Sequence, residues 1–220
     1  MRIVIAGGHG RIALRLERLL AARGDEAVGI VRNPEHADDL RALGAEPALC
    51  DLESASVEDV AELLRGADAA VFAAGAGPGS GAARKETVDR DAAILLADAA
   101  ERAGVRRFVV VSSMGADSTP SGDTDPVFAA YLRAKGAADA EVRARRNLDW
   151  TILRPGRLTD EPGTGLVTLD EHTGRSDVPR DDVAAVLQAL LDEPGTAGRT
   201  VELIGGRTPV AEAVGAVASG

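Results

Sequence analysis

The chain contains a single tyrosine and two lysines, and Tyr131 stands four residues before Lys135. On a helix that spacing sets both side chains on one face. An ammonium beside a phenol favours the phenolate and lets the hydroxyl exchange a proton near neutral pH, which is the work of a general acid or base. Almost every other basic residue is arginine, so Lys135 is a choice of compact ammonium over guanidinium. Upstream, Val111-Ser112-Ser113-Met114-Gly115 closes an apolar run with two hydroxyls. Ser113 is a candidate for binding a substrate oxygen, whereas Ser112 reads better as a group that satisfies backbone at a strand end.

A second constellation opens the chain. Gly7-Gly8-His9-Gly10-Arg11-Ile12-Ala13 follows the first apolar run directly and has the form G-x-x-G-x-x-A. The first glycine permits a tight turn, Gly10 lets backbone amides approach a pyrophosphate, and Ala13 allows close helix packing. Gly7, Gly10, Arg11 and Ile12 are therefore the candidate phosphate-binding residues, and His9 is given no catalytic role. The second apolar run ends Val31-Arg32-Asn33, where an NAD-preferring domain carries an acid for the ribose 2′-hydroxyl. Arg32 there suits a 2′-phosphate and predicts NADP(H) over NAD(H), with a solvated surface arginine as the alternative. After the third run, Asp51 and Leu52 could supply an acceptor to an adenine amino group and an apolar contact to its ring. Capping of the following helix is an equal alternative for Asp51.

These groups need a scaffold to converge. Short apolar runs at 2–6, 27–32, 46–49, 69–73, 107–112, 150–153 and 200–203 alternate with alanine-rich stretches at 11–23, 35–43, 57–65, 83–103, 126–146, 181–192 and 209–218. That alternation predicts βαβ units in one α/β domain spanning residues 1–220, a Rossmann-type doubly wound parallel sheet of about six or seven strands with helices on both faces. Residues of about 155–180 and the C-terminal segment are expected to form a small substrate-pocket portion. Two loops rich in glycine and proline, 75–81 and 117–126, follow strands and are the expected rims of the crevice beyond the strand carboxyl ends.

Composition narrows the ligands. With 35 acidic against 25 basic residues the chain carries a formal charge of −10, which opposes binding to nucleic acid or anionic membrane. No apolar run reaches the roughly 20 residues of a membrane span, and the N-terminus enters a strand without a leader pattern, so a cytoplasmic location is expected. One cysteine, Cys50, excludes an internal disulfide or a thiolate zinc site, and no metal is expected.

The glycine motif, Asp51-Leu52, Ala73-Ala74-Gly75, the run ending Ser112-Ser113, Tyr131-x-x-x-Lys135 and Thr151-Ile152-Leu153-Arg154-Pro155-Gly156 together resemble the atypical short-chain dehydrogenase/reductases, specifically the NAD(P)-binding, NmrA-like group. The resemblance runs from residue 2 to about 205. It implies that Ala73, Ala74 and Gly75 border the cofactor, that Pro155 and Gly156 lie near the nicotinamide carboxamide, and that Lys135 also holds a ribose hydroxyl. The family's usual proton-relay asparagine corresponds here to Asp89, which is a departure from the pattern. The expected activity is hydride transfer between NADP(H) and a small carbonyl or quinone-like substrate. A non-catalytic, NADP-binding redox sensor with a regulatory protein partner is the alternative, a homo-oligomer is left open, and a sugar-nucleotide epimerase or dehydratase stands third.

Overall fold

The computed structural model describes residues 1–77, 79–118 and 124–220. Pro78 and residues 119–123, which belong to the two expected rim loops, lie outside the described residues. The first half is a regular βα series: β1 (Arg2–Ala6), α1 (Arg11–Arg23), β2 (Glu26–Val31), α2 (Ala37–Ala42), β3 (Glu46–Leu49), α3 (Val57–Leu64) and β4 (Ala69–Phe72). A short α4 (Ala82–Arg84) runs through a π-helical segment, Lys85–Asp91, into α5 (Ala92–Ala103). The chain continues through β5 (Arg107–Val111), α6 (Pro126–Arg143), β6 (Asp149–Pro155), β7 (Arg157–Thr159), β8 (Leu166–Asp170) and β9 (Asp177–Pro179). It closes with α7 (Arg180–Asp192), β10 (Arg199–Gly205), β11 (Thr208–Pro209) and α8 (Val210–Ser219).

Among the described residues, nine strands form the main sheet in the order β11-β8-β10-β6-β5-β4-β1-β2-β3, and β7 pairs with β9 separately. The expected parallel sheet is present, extended at one edge by β8, antiparallel to β10, and by β11. Strand order reverses between β1 and β4, the switch point at which doubly wound sheets bind ligands.

Both faces of the sheet are covered because successive strand residues point to opposite sides. Ile3, Ile5, Val71, Val109 and Leu153 pack with α1, α7 and α8, while Val4, Ala6, Phe72, Phe108, Val110 and Ile152 pack with α3, α5 and α6. Gly24, Gly44, Gly66 and Gly104 end helices at φ between 73 and 87°, where a side chain would be strained. Among the described residues no helix is long and apolar enough to cross a membrane.

Candidate functional site

Beyond the ends of β1, β2, β3 and β4 lies a groove of about 270 Å³ lined by Gly7, Gly10, Arg32, Asp51, Leu52 and Ala73–Gly75, among others. Gly7 makes the turn at φ 81°, and a Cβ on it would fall 2.6 Å from the Ala74 Cα. The turn and the end of β4 therefore touch backbone to backbone. The Gly10 amide donates to the Gly7 carbonyl at 2.8 Å, and Gly10 caps α1 without a side-chain acceptor or an acid in the first turn. A helix start with unanswered amides, opening on a glycine-walled groove, fits the pyrophosphate of a dinucleotide. Ile12 packs in the core and has only its amide to offer, and the exposed Arg11 side chain pairs with Asp160.

Arg32 is exposed at the groove and lies 3.1 Å from a Glu53 carboxylate oxygen. Glu53 also accepts from Arg84 and, at 2.7 Å, from the Thr87 hydroxyl. The Arg84 hydrogen bond, followed by that of Thr87, holds the Glu53 carboxyl below the usual range. Neither Glu53 nor Arg84 stood out in the sequence, although Glu53 directly follows the Asp51-Leu52 pair. Asp51 accepts from the Glu53 amide at 3.1 Å and so braces a turn. The next helix, α3, is capped instead by Ser56 in a capping box with Asp59.

A second cavity, about 700 Å³, is lined by Ser113, Met114, Phe128, Tyr131, Pro155, Gly156 and the residues around Arg175. Ser113, just beyond β5, and Tyr131, near the start of α6, thus share one chamber. The Tyr131 ring stacks on Phe128 with centroids 5.9 Å apart, and the Lys85 ammonium stands 5.5 Å from its centroid. The hydroxyl makes no hydrogen bond to another described residue.

Lys135 is buried one turn along α6. Its ammonium donates to the Val111 carbonyl at 3.1 Å and to the Ala74 carbonyl at 3.3 Å, and stands 3.5 Å from an Asp89 oxygen. It therefore straps the end of β4, on the glycine groove, to the end of β5, beside the second cavity. Asp89, fully buried on the π-helical segment, accepts from the Ala76 amide at 3.2 Å. The position that the resemblance reads as a relay is here the counter-ion of Lys135.

Two buried features had weaker signals. Ser112 donates to Asp139 at 2.9 Å, and Arg154 clamps the same carboxylate at 2.8 and 3.0 Å while reaching Asp117 at 2.7 Å. Burial pushes the Asp139 carboxyl up against the pull of Arg154. An arginine inside the apolar run Ile152-Leu153-Arg154-Pro155 was the available sign. Beneath the glycine turn, Glu17 is fully buried, and neither carboxyl oxygen has a hydrogen-bond partner among the described residues. Burial pushes it up to about 8. Ile12, Ala13, Leu16, Glu17 and Leu20 form the buried stripe of α1, a helical period that already placed Glu17 inward. No group of three or more His, Cys, Asp or Glu among the described residues is arranged to hold a metal ion.

A family model described as NAD(P)H-binding matches residues 7–194. The chain is 38% identical to the uncharacterized sugar epimerase YhfK of Bacillus subtilis, covering 97% of this chain and 99% of that one. Its fold superposes on a Bacillus halodurans structure bearing the provisional name NAD-dependent epimerase/dehydratase at TM-score 0.90 and 36% identity, over 98% and 99% of the two chains. The oxidoreductase ylbE of Lactococcus lactis superposes at TM-score 0.88 and 26% identity, over 100% and 98%.

Proposed function

The chain belongs to the NAD(P)H-binding family, and from that premise we propose that it is an NADP(H)-dependent reductase of small carbonyl or quinone-like compounds. The observation that carries the reading is the shared chamber of Ser113 and Tyr131, joined to the glycine groove by Lys135. When bound, the nicotinamide supplies the hydride for the substrate carbon. Ser113 donates a hydrogen bond to the substrate oxygen, and the Tyr131 hydroxyl, which bonds to no other described residue, gives that oxygen its proton and is reprotonated from solvent. Lys135 offers its ammonium to a ribose hydroxyl while holding the two strand ends in place. Pro155 and Gly156 line the same cavity and would form the wall beside the carboxamide. Consumption of NADPH with a panel of aldehydes, ketones and quinones tests the proposal. Tight NADPH binding with no turnover across the panel transfers the reading to a redox sensor.

Arg32 and Arg84 flank Glu53 at the far end of the groove. A 2′-phosphate that draws the exposed Arg32 guanidinium from Glu53, which keeps Arg84 and Thr87, gains charge-assisted hydrogen bonds that a 2′-hydroxyl lacks. NADPH is expected to bind at least about tenfold tighter than NADH, equivalent to about 1.4 kcal/mol, and Arg32→Ala to erase most of that difference. Equal affinities for the parent protein by calorimetry would remove Arg32 from cofactor choice.

Nucleotide sugars are not expected as substrates. Among the described residues, β8, β10 and β11 extend the main sheet and α7 and α8 cover it, so these elements belong to the same layered core. Purified protein is therefore expected to leave UDP- and dTDP-hexoses unchanged, and epimerisation or solvent proton exchange at the sugar would overturn this.

A further inference from the structure

We infer that the cavity shared by Ser113 and Tyr131 takes substrates that carry a carboxylate, seated on Arg175. The reductase reading locates the reacting carbonyl, and the anion site deepens it. Among the described residues, three arginines, Arg157, Arg175 and Arg180, line this cavity against one carboxylate, Asp177. Two of the three are already answered. Arg157 forms a two-pronged pair with Asp177, and Arg180 lies 2.9 Å from Asp160. Arg175 has no hydrogen bond or ion pair with any other described residue.

Its position is suited to a ligand. An Arg175 guanidinium nitrogen lies 3.9 Å from where a Cβ on Gly115 would stand, so the group overhangs the turn two residues beyond Ser113. Phe128, Met114 and Leu158 supply an apolar wall to the same chamber. The volume of about 700 Å³ falls in the range of small-molecule pockets, roughly 300–1,000 Å³. An apolar body bearing its carbonyl toward Ser113 and Tyr131 and its carboxylate toward Arg175 gives partners to the Tyr131 hydroxyl and the Arg175 guanidinium, which bond to no other described residue. The planar fork of arginine matches a carboxylate with two parallel hydrogen bonds. A single free fork answers one carboxylate, whereas a diphosphate would leave several of its oxygens facing apolar side chains.

The test is calorimetric titration of the NADPH-loaded protein with 4-carboxybenzaldehyde, its methyl ester and UDP-glucose, alongside steady-state reduction of the two aldehydes. The acid is expected to bind about tenfold tighter than the ester, as befits a hydrogen-bonded charge pair. Arg175→Gln should abolish the preference and Arg175→Lys should keep part of it. Arg157→Gln, which removes a guanidinium already paired with Asp177, should change it less than about threefold. Equal binding of acid and ester, binding of neither, a preference that survives Arg175→Gln, or tighter binding of UDP-glucose overturns the inference. The two readings fail separately. Arg175-dependent binding of the acid without NADPH consumption keeps the anion site and removes the reductase, while reduction of both aldehydes with KM values indifferent to Arg175 does the reverse.

Discussion

Tyr131→Phe is expected to lower NADPH-dependent carbonyl reduction by about 10²–10⁴-fold, the usual contribution of a positioned general acid. Phenylalanine keeps the ring that stacks on Phe128 and faces the Lys85 ammonium. Only the hydroxyl is lost, and it bonds to no described residue. Folding and NADPH affinity should therefore stay close to those of the parent. Lys135→Arg acts differently. The ammonium occupies a buried slot between the Val111 and Ala74 carbonyls and Asp89, and the broader guanidinium cannot enter it without parting the two strand ends. Turnover and NADPH affinity should fall together. Kinetics on any hit from the carbonyl panel, with cofactor titrations of each variant, check both outcomes. A rate indifferent to both substitutions would show that the pair takes no part in the chemistry.

The second large effect is on stability. Glu17 carries its proton in the folded chain up to about pH 8, against a usual value of 4.5, because burial disfavours the charged carboxylate. The unfolded chain releases that proton from about pH 4.5 upward. Between the two values the folded state holds more protons, so stability falls as pH rises, with a limiting slope of about 1.4 kcal/mol per pH unit from this group. Above about pH 8 both states are ionised and the decline ends. Solvent reorganisation around the site reduces the total, and a loss of about 2–4 kcal/mol across the window is expected. Glu17→Met replaces the carboxyl with an apolar group of similar reach. It should flatten the dependence and raise stability most at pH 8. Urea unfolding of parent and variant at pH 5 and pH 8 measures this directly. If the two proteins differ by the same amount at both values, the carboxyl does not titrate in that range.

Much of this architecture was legible in the sequence, for reasons visible in particular residues. Runs such as Phe108-Val109-Val110-Val111 have no polar alternation because helices cover both sides, and all seven expected strands are present. The strands that sequence reading missed lack that signal. β7 and β9 are three residues each, and β8 alternates Leu166-Val167-Thr168-Leu169-Asp170 at a sheet margin. The site divides in the same way. Gly7, Gly10, Ser113 and Tyr131 were marked by local chemistry and local spacing. Lys85 over the Tyr131 ring, Glu53 between two arginines and Arg175 above Gly115 depend on approaches across 46, 21 and 31, and 60 residues, which no local pattern records.

Arg32, Arg84 and Arg175 line the two cavities on a chain with ten surplus negative charges. Attraction and repulsion therefore act over different ranges. At physiological ionic strength fields fade over about 8 Å, so a dinucleotide or an organic acid first meets the repulsion of the whole molecule and feels the arginines only on close approach. Added salt consequently has opposite effects on the two halves of the binding event: it quickens encounter by screening the net charge, and it shortens residence by weakening the final contacts.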